Sequence, residues 1–140
     1  MLWMACTVQT WFRPSVICDH AYIPEFTSCA NIDLARLERM PEVTAYARND
    51  HLDFTIPYEW HGFRHEYRPD YLVRWRRNDG TEVKVILEVK GFETEQDRQR
   101  EIAAQRWIRA VNHHGEFGCW RFVVCKDPAA LEKLLREACR

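Results

Sequence analysis

Pro69-Asp70 falls at the start of one predicted strand and Glu88-Val89-Lys90 at the end of the next. These residue types suit metal-assisted cutting of a phosphodiester. Two hard carboxylates hold Mg²⁺ with part of its water shell, and an ammonium two residues on steadies an anionic phosphate or positions the attacking water. Uncatalysed phosphodiester hydrolysis is slow enough to demand enhancements toward ~10¹⁷-fold, over roughly 20 kcal/mol. A lone general base supplies only about 10²–10⁴-fold, so the chemistry calls for a metal. The expected cofactor is Mg²⁺, with Asp70, Glu88 and the Val89 carbonyl as its ligands, and the expected catalytic set is Asp70, Glu88 and Lys90.

The surrounding pattern has to bring these groups together. Tyr71, Val73 and Trp75 alternate after Asp70, and Asn78-Asp79-Gly80 is a strong turn signal. From Glu82 to Lys90, Val83, Val85, Leu87 and Val89 share one face while Lys84, Ile86, Glu88 and Lys90 share the other. A tight turn makes the two strands antiparallel neighbours, so the start of the first lies opposite the end of the second and Asp70 meets Glu88. Two adjacent carboxylates repel, and a divalent cation relieves that conflict. The plain alternative is that Asp70 only follows a strand-initiating proline, while Glu88 and Lys90 form a solvated, salt-bridged edge.

Further elements frame these strands. Residues 1–30 have no clear period, with Pro14 and Pro24 interrupting them, and read as an irregular arm holding one short strand around Val16-Ile17. A short amphipathic helix is expected from Asn31, ending before Pro41. Leu52, Phe54, Ile56 and Tyr58 alternate as a strand entering a hairpin at His61-Gly62. Thr94 to Asp97 reads as a capping box opening a long helix with an apolar stripe of Ile102, Ala103, Trp107, Ala110 and Val111, on which Gln105 is a secondary site candidate. A strand follows from about Trp120 to Cys125, and Asp127-Pro128 opens a last helix that buries Leu131, Leu134, Leu135 and Ala138. The order is helix, three strands, helix, strand, helix. It predicts an α/β domain over residues 31–140 with a mixed sheet, helix-covered on both faces.

Bulk properties bound the rest. At 140 residues, 46% hydrophobic and 29% charged, the chain is one globular domain's worth of sequence. The net charge of −1 says nothing about a nucleic-acid partner, so any such footprint is local. The best candidates for phosphate contact are Arg64, Arg68, Arg74 and Arg76, with Arg77 in the same stretch. Trp60, Trp75, Trp107 and Trp120 read as core or rim packing. The six cysteines form no C-x-x-C pair or zinc-finger spacing and read as reduced thiols of a cytoplasmic protein. Residues 1–12 lack a basic n-region, and no segment reaches membrane-spanning length.

The segments Tyr67 to Arg74, Leu87 to Gly91, Trp107 to Asn112 and Gly118 to Phe122, with Arg48 to Asp50 and Phe54 to Tyr58 upstream, resemble the C-terminal endonuclease domain of type III restriction enzyme res subunits. The likeness covers roughly residues 33–135. It implies the PD-(D/E)XK restriction-endonuclease-like fold, Mg²⁺-dependent cleavage of double-stranded DNA, and Asp70, Glu88 and Lys90 as the catalytic positions. It also implies antiviral restriction-modification, helicase or translocase and modification subunits acting in trans, and a homodimer where both strands are cut.

Two departures qualify the resemblance. The resembled domains usually carry an acid on the helix before the first catalytic strand; the region here reads Ser28 to Asp33, and Glu25, Asp33 and Glu38 are the available substitutes. No G-x-x-x-x-G-K-[ST] phosphate loop occurs, so ATP hydrolysis by that route is not expected and the chain reads as a cleavage module, a separate subunit or a truncated product. Two alternatives stand beside it. One is a catalytically degenerate DNA-binding or assembly module, the other a repair or junction-resolving nuclease of the same fold.

Overall fold

The computed structural model describes residues 34–50 and 52–140; the expected arm, its strand at Val16-Ile17, and Glu25 and Asp33 lie outside them. The elements are α1 (Leu34–Arg39), β1 (Val43–Arg48), β2 (Ile56–Trp60), β3 (Phe63–Tyr67), β4 (Tyr71–Arg76), β5 (Glu82–Val89), α2 (Glu95–His114), β6 (Cys119–Cys125) and α3 (Leu131–Ala138). A single 3₁₀ turn, Pro128–Ala130, is capped by the Asp127 carboxylate and runs into α3. Strand order in the main sheet is β1-β4-β5-β6: the first two pairings are antiparallel, and β5–β6 is parallel with α2 as the crossover. The mixed, helix-flanked α/β sheet expected from the sequence is therefore present.

Two cores sandwich this sheet. On one side Leu72, Ile86 and Trp120 pack beneath Ala103, Ala104, Trp107, Ile108 and Val111 of α2 and beneath Phe54, Ile56, Tyr58 and Tyr67 from the hairpin side. Phe54, Trp107 and Trp120 form an aromatic knot, with Trp107 edge-on to Phe54 and Trp120 at centroid distances of 5.3 and 5.1 Å. On the other side Val73, Trp75, Val83, Val85, Leu87 and Val89 pack on Leu37 and Met40 near α1 and on Leu131 and Leu135 of α3. Strand alternation thus sends the valines of β5 to the α1/α3 side and Ile86 and Glu88 to the α2 side.

Several expectations are corrected in detail. Sequence alternation placed a strand from Leu52, whereas Asp53 takes a left-handed φ of 50° and the extended run begins only at Ile56. The hairpin turn at His61-Gly62 is as expected, both residues having positive φ as a type I′ turn requires. Its return strand β3 and the edge strand β1 went unread. The first is largely exposed, and the second has only part-buried or exposed side chains, so neither alternates cleanly. The apolar stripe of α2 contains Ala104 and Ile108; Ile102 and Ala110 face solvent. The capping box itself forms as expected, and Gly115 closes the helix at φ 81°.

Candidate active site

Asp70 and Glu88 come together at one end of the β4–β5 ladder. The register pairs Tyr71 with Leu87 and Leu72 with Ile86, so Asp70 and Glu88 lie on the α2 side, just beyond the last paired residues. The Asp70 carboxylate accepts the Val89 backbone N–H at 2.8 Å, which ties the start of β4 to the end of β5. In extended backbone the carbonyl of a residue leaves the strand on the same side as its N–H, so the Val89 carbonyl faces the Asp70 side too. Lys90 continues the ladder by donating its N–H to the Cys125 carbonyl at 3.0 Å.

The Asp70 position is fixed by Asn49, whose place in the sequence signals no such role. Asn49 is 2% exposed. Its side-chain amide donates to the carbonyls of Phe54 and Pro69 at 2.7 and 2.9 Å, its Oδ1 accepts the Phe54 N–H, and its own backbone N–H donates to the Asp70 carbonyl. One buried side chain thus ties Phe54 to the Pro69-Asp70 step.

Glu88 is only 7% exposed and sits between an acid, a phenol and a cation. The Tyr67 hydroxyl donates to Oε2 at 2.6 Å, and Oε1 lies 3.7 Å from Lys90 Nζ. Burial, then the nearby Asp70 charge, push its carboxyl up to about 7 against the opposing pull of Tyr67 and Lys90. Burial also raises Asp70, opposed by the Val89 N–H and by the charges of Arg48 and Lys90. Burial and the Glu88 charge raise Tyr67, which keeps it a phenol and a hydrogen-bond donor.

The N-terminal turn of α2 completes the cluster. Asp97 is the capping-box residue: its Oδ2 accepts from the Thr94 N–H and hydroxyl at 2.9 and 2.7 Å. Its Oδ1 faces the site, 3.3 Å from Lys90 Nζ and 3.1 Å from Arg100 Nη1. Burial works against the Asp97 charge, but the Thr94 bonds and Lys90 outweigh it and hold the carboxyl at about 2. Lys90, its side chain 10% exposed, is therefore held by two acids and not by Glu88 alone. The signal for Asp97 was visible in the sequence, but its capping role accounted for it locally. Arg100 follows it by one turn and is the α2 residue brought to the site with it, whereas Gln105 lies further along the helix.

The other expected residues disperse. Arg74 bonds Glu82 at 2.9 Å, and Arg76 pairs in register with Glu82, so both lie toward the opposite end of the ladder from Asp70. Arg68 is exposed, 3.4 Å from Asp53, and Arg64 is exposed on β3 opposite Glu59. Glu38, a possible substitute for the missing upstream acid, accepts the Tyr46 hydroxyl at 2.7 Å; Tyr46 packs with the α1/α3 core, away from Glu88. Trp75, Trp107 and Trp120 are buried, while Trp60 is half-buried on the hairpin. Cys119, Cys125 and Cys139 are free thiols.

Whether this donor set fits Mg²⁺ can be judged from its chemistry. Among the described residues no three His, Cys, Asp or Glu side chains form a metal cage. Mg²⁺ does not need one: it keeps several waters and is commonly held by one or two carboxylates plus substrate phosphate. Two carboxylates raised by burial, one raised also by its neighbour's charge, with a carbonyl directed to the same side, fit that habit. No helix among the described residues is long and apolar enough to cross a membrane. Comparison with protein-family models, with curated proteins and with solved structures finds no match to this chain.

Proposed function

We propose that the chain is the cleavage module of a Mg²⁺-dependent DNA endonuclease of the type III restriction-like, PD-(D/E)XK kind. The observation that carries this reading is the burial of Glu88 beside Asp70 and Lys90 at one end of two adjacent strands, an arrangement costly for a structural role and useful for a divalent cation. Asp70, Glu88 and the Val89 carbonyl would hold the ion. Bound there, Mg²⁺ would polarise the phosphoryl group and lower the pKa of a bound water. Tyr67 keeps one Glu88 oxygen occupied and so presents the other toward Lys90. Lys90, anchored by Asp97, holds the phosphate or orients the attacking water with its remaining donors. One such site cuts one strand, so double-strand breaks need two copies. Helicase and modification functions, and a cytoplasmic setting, belong to the same proposal.

The test is conversion of supercoiled plasmid by the purified chain in Mg²⁺ or EDTA, beside Asp70→Ala and Lys90→Ala, with and without an added helicase partner. The expected result is Mg²⁺-dependent nicking that both substitutions abolish. Equal DNA binding with no cutting by any form, under every condition, would favour a degenerate binding module. A preference for branched over linear DNA would point instead to a repair nuclease.

A further inference from the structure

We propose that Arg100 is a phosphodiester-contacting residue at the mouth of the Asp70–Glu88–Lys90 site, an inference that rests on the nuclease reading. Helical spacing sets Gln96 and Arg100 on one face of α2, toward the hairpin. There the guanidinium is fixed from three directions: Nη1 donates to Asp97 at 3.1 Å, Nε to the Tyr58 hydroxyl at 3.4 Å, and the cation lies 5.9 Å from the centre of the Tyr58 ring. Gln96 in turn donates to the Tyr58 hydroxyl at 2.7 Å and fixes its position.

This clamp leaves one edge of the fork available. The Arg100 side chain is 34% exposed, and its Nη2 has no hydrogen-bond partner among the described residues. Its Nη1 shares Asp97 Oδ1 with Lys90 Nζ, at 3.1 and 3.3 Å, which places it beside the carboxylate cluster. A guanidinium already held in place loses little entropy on gripping an anion, and its planar donors match phosphate oxygens in pairs. Of the arginines expected to contact DNA, Arg74 spends its fork on Glu82 at the other end of the ladder. Arg100, unlike Arg74, is held against the same acid that anchors Lys90.

The test is the salt dependence of binding to a short fluorescein-labelled DNA duplex, measured in Ca²⁺ on the full chain with the duplex checked to be uncut. Each phosphate contact contributes about one to the slope of log affinity against log salt. Arg100→Gln, which keeps a donor for Tyr58 but loses the charge, is expected to lower the slope by about one. Arg100→Lys keeps the slope but binds more weakly. Arg109→Ala, exposed on the opposite face of α2, is expected to leave the slope unchanged. A wild-type slope in Arg100→Gln, with wild type still cutting plasmid, would overturn this inference alone. A wild type that neither binds the duplex nor cuts would overturn the nuclease reading as well.

Discussion

Two charged clusters share the α2 side of the same pair of strands. At one end Arg74, Glu82 and Lys84 form a half-buried group: Arg74 holds Glu82 at 2.9 Å, and Lys84 donates to the Phe117 carbonyl at 2.8 Å while lying 5.4 Å from the centre of the Trp120 ring. At the other end, beyond the Leu72–Ile86 pair, Asp70, Glu88 and Asp97 meet Lys90 and Arg100. The distance along the strand is roughly 13 Å. The first cluster has more cation than acid and satisfies its groups against partners on the protein. The second has more acid than cation and buries the excess. Ion pairing in a sheet is ordinary; a desolvated pair of carboxylates at a strand end is the feature on which the proposed cation site rests.

Breaking that contrast should have its largest effect on cleavage. Asp70→Ala is expected to reduce Mg²⁺-dependent plasmid nicking by about 10³-fold, the scale of losing one well-placed electrostatic group. Glu82→Ala at the other end should leave the rate within about twofold, because a part-exposed ion pair is worth only about 0–1 kcal/mol. Gel quantification of nicked product over time checks both.

The next effect is on stability. Asn49→Ala strands the Phe54 N–H and the Phe54 and Pro69 carbonyls at two buried residues, and each buried polar group left unpaired costs about 1–3 kcal/mol. Urea unfolding should show a loss of about 3 kcal/mol, with cleavage impaired in the folded fraction because the Asp70 step is no longer held. The opposite end of the ladder depends on the exposed Asn78–Gly80 turn, where Gly80 has φ 83° and Gly80→Ala should cost about 1 kcal/mol.

A smaller effect, with a definite sign, comes from pH. The Glu88 carboxyl is raised from its ordinary 4.5 to about 7, so the folded state binds that proton more tightly than the unfolded state. Its contribution to stability therefore falls as pH rises from about 4.5 to about 7, by on the order of 3 kcal/mol without metal. Glu88→Gln removes the charge, so it should raise the Tm of the metal-free protein at pH 8 and have little effect near pH 4. Glu82→Gln should instead lower stability slightly at pH 8. Thermal melts at the two pH values distinguish these outcomes.

Much of the candidate site could be read from the sequence because it is local. The β4–β5 alternation, the Asn78–Gly80 turn and the Thr94–Asp97 box each signal their structure within a few residues, and together they place Asp70, Glu88 and Lys90. What escaped comes from contacts between distant segments. Tyr67 reaches Glu88 from 21 positions away, and Asn49 reaches Pro69 across 20. Nothing in the spacing of a lone tyrosine or asparagine announces such a partner. Asp97 was hidden for a different reason: one of its oxygens caps the helix, and only the fold shows that the other faces Lys90. For the arginine-rich stretch, strand periodicity gives a face but not an end of the sheet. Arg74 does share the face of Asp70, toward the opposite end of the ladder.

On the proposed function the carboxylate end, and not the Arg74–Glu82 end, takes a divalent cation. Isothermal titration of Mg²⁺ into metal-free protein at pH 8 tests it most directly, comparing wild type, Asp70→Asn and Glu82→Gln. One saturable site is expected in wild type and Glu82→Gln, lost in Asp70→Asn. Absence of binding in wild type, or a site that survives Asp70→Asn unchanged, would contradict it.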